Sequence, residues 1–395
     1  MRFSYRTTLI SCFVAYIVQA IVNSFVPLLF VIFQTDFEIP LSQITMLVTV
    51  NFTVQLFVDL LSAKLIDIIG YRVSIVAAHA CVAAGLVLLT VLPGIMDPFS
   101  GILLSVVVYA IGGGIIEVLV SPMVEACPTD NKERAMSLLH SFFCWGIVGV
   151  VLISTLFFAL VGTRQWRLLA CFWALLPVAN GTVMLKTPIA KPLPEGEKGM
   201  TVHELCSRKV FWALLVMMLC AGASEQAVSQ WASTFAEQGL NVGKTVGDLA
   251  GPMMFALLMG TCRAVYAKFG ERWDLDFILF ASSVLCAVSY LLTSLAPWPI
   301  VNLMGCALCG FSVGIMWPGS FSRAASVLRR GGTTLFALLA LAGDVGCSAG
   351  PTLVGLVSDV VGGNMKLGIL AAIVFPVALG GCLLAQRWYR NRGVA

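Results

Sequence analysis

AKLIDIIGYR, running from Ala63 to Arg72, is a short charged interruption between two long apolar runs. Its counterpart in the second half, Arg263 to Arg272, reads RAVYAKFGER, so that Gly70 and Arg72 recur as Gly270 and Arg272 while Asp67 becomes Ala267. A loop that ends one apolar run, begins the next, and returns at the matching place in the other half says that the chain is built twice.

The surrounding composition fixes the solvent. Of the 395 residues 59% are hydrophobic and only 11% are charged, too few polar groups to cover a water-exposed surface. Crossing a hydrocarbon core of roughly 30 Å takes about 20 apolar residues in helical form. Twelve such windows are present, at about 8–33, 42–69, 73–92, 100–124, 135–161, 167–185, 210–235, 246–268, 275–295, 299–325, 333–358 and 366–387. The first holds Gln19, Asn23 and Pro27 and no small-x-small cleavage site, so it reads as a retained span. The expected fold is an all-α membrane protein with twelve transmembrane helices in two pseudo-symmetric six-helix bundles.

Basic residues set the orientation. With both chain ends in the cytoplasm, all of the 24 Lys and Arg except Arg164, Arg167, Lys244 and Lys366 fall on the inner side. The net charge of +4 is therefore a topology signal and no sign of nucleic-acid binding. The thirteen cysteines form no disulfide framework, since nearly all lie inside apolar windows, and Cys306-x-x-Cys309 reads as small residues aiding helix packing. The Asn51-Phe-Thr53 sequon is discarded because it lies within a span.

The longest polar stretch separates the halves. Residues 186–209, opening KTPIAKPLPEGEKG, carry prolines, glycines and mixed charge that suit a cytoplasmic linker between bundles at 1–185 and 210–395. Thr201-x-x-Glu204 has the spacing of a capping box, so a short helix is expected there. Span four ends near Ser121-Pro122 and span ten near Trp317-Pro318, a further echo between the halves.

With this topology, the Asp67-x-x-Gly70-x-Arg72 loop between spans two and three resembles the signature loop of the major facilitator superfamily. The family's first Gly is Ala63 here, and its basic residue after the Asp is Ile68. Spans four and five resemble the fucose–proton symporter branch through Gly114-Ile-Ile-Glu117-Val-Leu-Val-Ser121-Pro122 and then Arg134-Ala-Met-Ser137-Leu-Leu139-His140 up to Gly146. Ser121 and Ser137 stand where that branch has Asn, and Asn23 stands where it has a span-one Asp. The resemblance implies a proton on Glu117 and a place on the substrate cavity for His140. In span seven, Gly222-Ala-Ser-Glu225 followed by Trp231 is similar to sugar-permease relatives of this branch.

Helical spacing nominates the cavity. Asn51, Gln55 and Asp59 recur every fourth residue on one face of span two, as do Gln19 and Asn23 on span one and Gln226 and Gln230 on span seven. Such faces suit a hydroxyl-rich solute, with Trp231 and Trp317 as aromatic plates. The plainer alternative is that the amides glue helices together at about 0.6 kcal/mol each. A carboxylate at bilayer depth costs on the order of 2.5–3.5 kcal/mol, so Glu117, Glu225 and Asp344 are read as proton-coupling groups, Glu225 and Asp344 also as solute or sodium ligands. Glu117 can alternate between protonated and charged forms as the cavity opens to each side. Asp344, ahead of Gly346, Gly350 and Pro351, is placed where span eleven could unwind and bend. His79 reads as a packing histidine. Asp67, Gly70 and Arg72 are expected to gate, with Asp59 and Glu125 joining that network.

The expected function is secondary active transport of a small, polar, sugar-like solute by alternating access, with protons inward. No metal or cofactor is expected; a proton or a sodium gradient drives the cycle. Expected partners are the solute and membrane lipid, with no nucleic acid, in a monomer of the cell (inner) membrane. A drug or metabolite:proton antiporter of the same fold is the alternative, and a non-transporting receptor a remote one. An enzyme is not expected, since neither His-Glu-x-x-His, Gly-x-Ser-x-Gly nor a G-x-x-x-x-G-K-[ST] phosphate loop occurs.

Overall fold

The structure, a computed structural model, describes residues 4–128, 132–189, 200–269, 273–328 and 331–391; within these, the side chains of 62–68, 125, 132–134, 136–137, 267–268, 332–333 and 388–391 are not described. Among the described residues all regular structure is helical. Twelve helices are long and apolar enough to cross a membrane. They are α1 (Tyr5–Asp36), α2 (Leu41–Leu61), α3 (Tyr71–Ile95), α4 (Pro98–Val124), α5 (Leu138–Val161), α6 (Thr163–Met184), α7 (Lys209–Ser229), α8 (Lys244–Tyr266), α9 (Leu275–Leu295), α10 (Pro299–Val327), α11 (Thr334–Val360) and α12 (Met365–Arg387).

The chain divides into two compact units. One comprises Met1–Pro194 with Gly243–Leu249, the other Glu195–Val242 with Ala250–Ala395. In the first unit α1 packs along α5, α2 along α4, and α3 along α4 and α6. In the second, α7 packs along α11, α8 along α10, and α9 along α10 and α12. Every pairing thus recurs six helices later, and the repeat legible in the two loops extends to the packing.

Close approach in both units depends on glycine. A Cβ at Gly112 of α4 would lie 2.4 Å from the Ala78 carbonyl of α3, and one at Gly346 of α11 would lie 2.0 Å from the Leu219 carbonyl of α7. Apolar helices gain no hydrophobic drive from meeting each other in lipid, so backbone proximity at small residues supplies the dispersion contact instead. Buried polar ties add specificity. His79 Nε2 accepts from Asn180 Nδ2 at 2.9 Å, and the same amide donates to the Ser11 carbonyl at 2.9 Å, pinning α3, α6 and α1. In the second unit Arg323 of α10 pairs with Asp276 and donates to Gln386 Oε1 of α12.

Among the described residues α12 is interrupted between Ala371 and Val374 and α8 carries a π-helical segment at Leu249–Met253, and three further spans are broken beside the clustered side chains. In α1 the helix Tyr5–Ser24 gives way to a 3-10 turn at Val26–Leu29, because Pro27 removes a backbone donor, and resumes at Phe30–Asp36. After Ser229 the helix of α7 loosens through Gln230 and Trp231 into the short helix Ala232–Thr234 and a π-helical turn at Phe235–Gly239. In α10 the helix stops at Val313 and restarts at Met316, around Gly314. The expected bend beside Asp344 is absent. The helix Gly332–Val360 runs through Pro351 without interruption, because Gly343, Gly346 and Gly350 are used for packing.

The expected short helix is present at Val202–Cys206, capped reciprocally: the Glu204 backbone N–H donates to Thr201 Oγ1 at 3.3 Å and the Thr201 N–H donates to Glu204 Oε2 at 2.7 Å. Linker residues 190–199 lie outside the described residues.

Candidate functional site

The first unit collects its polar side chains into one chain of hydrogen bonds. Gln19 of α1 stands at its centre, donating from Nε2 both to Gln55 Oε1 of α2 at 2.8 Å and to Glu117 Oε2 of α4 at 3.0 Å. Gln55 Nε2 passes the chain to Asn23 Oδ1 at 3.1 Å and to the Asn51 carbonyl at 3.4 Å, and Asn51 Nδ2 reaches Asn23 Oδ1 at 3.5 Å. Gln19, Asn23, Asn51 and Gln55 are buried and Glu117 is half-buried. Four-residue spacing on α1 and α2 turns both pairs of amides toward α4, and Gly113 makes room for them. A Cβ there would lie 3.0 Å from Gln19 Oε1 and 3.5 Å from Gln55 Oε1. The side-chain oxygens of Gln19 and Asn51 are buried and meet no donor.

Next along α4, one turn from Glu117, Ser121 Oγ lies 3.2 Å from the Tyr16 hydroxyl. His140 of α5 is exposed and stands edge-on to the Tyr16 ring at 5.6 Å, which places it at this end of the site. Ser121 is the residue standing where the resembling branch has Asn, whereas Tyr16, one turn before Gln19 on the same face, is not among the residues nominated from the sequence.

The second unit builds a different site. Gln230 Nε2 donates to Gln226 Oε1 at 3.0 Å, and Gln226 Nε2 to Glu225 Oε1 at 3.4 Å, ordering three side chains just before the break in α7. Glu225 is ion-paired. Arg263 Nη2 of α8 lies 3.5 Å from its Oε2, and Arg263 Nε donates to the Gly314 carbonyl at 3.2 Å, where α10 breaks. Two unpaired charges at this depth would be costly, and the pairing offsets part of that cost.

The other sequence candidates are distributed as follows. Trp231 is fully buried and donates from Nε1 to the Pro351 carbonyl at 2.9 Å; it ties the α7 break to α11 and offers no open ring face in this structure. Trp317 is half-buried and lies across Gly343, where a Cβ would come within 2.3 Å of its ring. Asp344, the next residue, is half-buried. In the signature loop the Asp67 side chain lies outside the described residues, as do Glu125 and residues 270–272. Gly70 adopts φ +90°, a conformation that favours glycine, and opens the helix at Tyr71. Arg72 donates to the carbonyls of Met184, Leu185 and Thr187, the last at 2.9 Å, and so caps the end of α6. That contact fixes α3 to α6 within the first unit. No group of three His, Cys, Asp or Glu able to hold a metal occurs among the described residues.

Comparison with known proteins agrees with this architecture. A family model described as Major Facilitator Superfamily matches residues 8–351. Membrane protein MosC of Rhizobium meliloti is 24% identical over 280 residues, which is 70% of this chain; the match spans 65% of that relative, under two thirds of its length. Among solved structures, a bacterial homologue of the human lysosomal transporter Spinster, inward-facing and occupied, superposes with a TM-score of 0.76 at 15% identity over 97% of each chain. A single-residue variant of the E. coli fucose:proton symporter FucP superposes with a TM-score of 0.64 at 14% identity, over 96% of this chain and 98% of its own.

Proposed function

Starting from the fact that the chain belongs to the major facilitator superfamily and is a multi-pass membrane transporter, we propose that it imports a small, polar, sugar-like solute together with protons by alternating access. The observation that carries this reading is the bond from Gln19 to Glu117: a titratable acid in a membrane span is wired at 3.0 Å to buried amides from two further helices. An acid so placed senses whether those amides are occupied, which is what coupling a proton to a solute requires. The amides are alternating donors and acceptors, the chemistry that hydroxyl groups satisfy.

The two acids of the units take different parts. Glu225 has the Arg263 guanidinium beside it, and Glu117, which accepts from the Gln19 amide, is the acid assigned to carry the proton. Asp344, next in the chain to the Gly343 that Trp317 covers, is a second polar position in the far half of the chain, and Gln226 and Gln230 add solute contacts there. Gly70 and Arg72, with Asp67, form the gating loop, and His140 borders the solute path. The transporter works as a monomer in the cell (inner) membrane, both termini cytoplasmic, as the distribution of Lys and Arg supports.

The test is solute-induced proton movement in proteoliposomes, read with a pH dye over a panel of neutral monosaccharides, nucleosides and amino acids. Alkalinisation outside the vesicles on adding one monosaccharide is the expected result. Proton release in the opposite direction, or movement only with sodium present, overturns inward proton symport.

A further inference from the structure

Gln19 is 2% exposed and both hydrogens of its amide are used, one toward Gln55 and one toward Glu117, yet its own oxygen is buried without a donor. Leaving a buried carbonyl unmet costs about 1–3 kcal/mol. The opposite orientation of the amide would aim Oε1 at Glu117 Oε2 and Gln55 Oε1, oxygen against oxygen. A protonated carboxyl has an O–H to donate and removes the first of these clashes, and the second is relieved when a solute hydroxyl donates to Gln55 Oε1.

We propose that Gln19 is the residue that converts the protonation of Glu117 into a change at the solute-binding amides, by turning its side-chain amide over. This rests on the reading of Glu117 as the proton carrier. With Glu117 ionised, Gln19 Nε2 serves both Glu117 and Gln55, the arrangement in the structure. A proton taken from water onto Glu117 Oε2 makes that oxygen a donor, and Gln19 turns so that Oε1 accepts from it. The N–H that served Gln55 Oε1 is withdrawn. Gln55 Oε1 then stands open next to Asn51 Oδ1, already without a donor, on adjacent turns of α2. Two acceptors with no donor call for hydroxyls, and the Gln19 N–H groups, turned away, offer a donor to a solute oxygen. Proton and solute thereby favour each other's binding; when the proton leaves, Gln19 turns back and closes the acceptor.

Gly113 permits the movement. Only a hydrogen stands where a Cβ would come within 3.0 Å of Gln19 Oε1 and 2.9 Å of Val22 Cγ1. Rotation of a terminal amide about its last torsion is soft and roughly two-fold, so both orientations are accessible to the same side chain. Other titratable or charged groups on the helices packed against α4 are Tyr5, Arg6, Cys12, Tyr16 and Asp36 on α1, Asp59 on α2, Tyr71, Arg72, His79 and Cys81 on α3, and His140 and Cys144 on α5. The reorientation is assigned to Glu117 because Gln19 binds its carboxylate directly.

The experiment is acid-minus-base infrared difference spectroscopy on the purified full-length protein, without solute. It is run on wild type, Glu117→Gln, Gln19→Met and Gln19→Asn, with Asp97→Asn and His203→Asn, both exposed and outside the site, as controls. The expected wild-type spectrum has a protonated-carboxyl band that Glu117→Gln removes, accompanied by a glutamine side-chain carbonyl band. Gln19→Met and Gln19→Asn, the latter too short to reach both partners, each delete the glutamine band, keep the carboxyl band and move its pH midpoint. The controls leave both bands in place. A Glu117 carboxyl band without a glutamine band, or a glutamine band that survives both Gln19 variants, overturns the switch while leaving Glu117 as proton carrier. Absence of any Glu117 carboxyl band across the titration sinks the proton-carrier reading itself, and the switch with it.

Discussion

Arg263 Nη2 and Glu225 Oε2 meet at 3.5 Å with side chains 18% and 10% exposed, and the same guanidinium holds the Gly314 carbonyl where α10 breaks. One cation thus serves an acid of α7 and the freed carbonyl of a discontinuous helix. Removing one partner of such a pair strands the other charge. Arg263→Leu should lower stability by on the order of 3 kcal/mol, while Arg263→Leu with Glu225→Gln should lose clearly less than the two single changes together. Thermal unfolding of the three variants in one detergent measures this, and strict additivity would show that the pair is not energetically coupled.

Glu117→Gln keeps a side chain of the same length that can hydrogen-bond Gln19 but cannot change charge. Solute exchange across the membrane should persist, and accumulation against a gradient should be lost. Counterflow and proton-driven uptake in the same proteoliposomes separate the two. Undiminished accumulation would remove Glu117 from the coupling step.

The sequence made some of this plain and hid the rest for physical reasons. Four-residue spacing revealed the α1, α2 and α7 amide faces, because helix geometry alone dictates which residues share a side. It could not show that Gln19 would bridge to Glu117, since that depends on how α1 and α4 pack. Pro27 accounts for the α1 break, although the first window was read from the sequence only as a retained span. The α7 break lies in AVSQWASTF, residues 227–235, with neither Gly nor Pro to announce it. It is held by tertiary contacts, among them the Trp231 bond to the Pro351 carbonyl. The same glycines that suggested a bend in α11 turned out to be the points where α7 approaches. Arg263 was counted as a charge at a membrane edge because it aligns with the loop repeat; its position inside the apolar window 246–268 was the cue that it faces a buried acid.

Gly346 offers a test of that last packing relationship. A methyl group there would sit 2.0 Å from the Leu219 carbonyl and 2.9 Å from the Ala223 nitrogen, both backbone atoms, so the helices must separate. Gly346→Ala is expected to cost about 1–3 kcal/mol and to lower the thermal midpoint. Gly149, where a Cβ would meet nothing within 4 Å, provides the matched control, since Gly149→Ala should be neutral or slightly stabilising. Equal effects at both positions would show that α7 and α11 do not approach as closely as described.

Asp97 gives a pH-dependent prediction away from the transport path. It caps α4: its carboxylate accepts from the Ser100 backbone N–H at 2.9 Å and from the Ser100 hydroxyl at 2.7 Å, and these bonds hold its pKa below the ordinary carboxylate value. A depressed folded-state pKa stabilises above the unfolded value, near about 3.9, and that contribution fades as the pH falls to the lower folded value. Asp97→Ala should therefore lower the thermal midpoint at neutral pH, and the gap from wild type should shrink steadily once the pH drops below that ordinary value. Asp97 is fully exposed, so salt screens part of the effect and the neutral-pH gap should also narrow at high ionic strength. A gap that stayed constant from neutral pH to well below the carboxylate range would mean that the cap acts through the shape of the turn and owes nothing to the charge on Asp97.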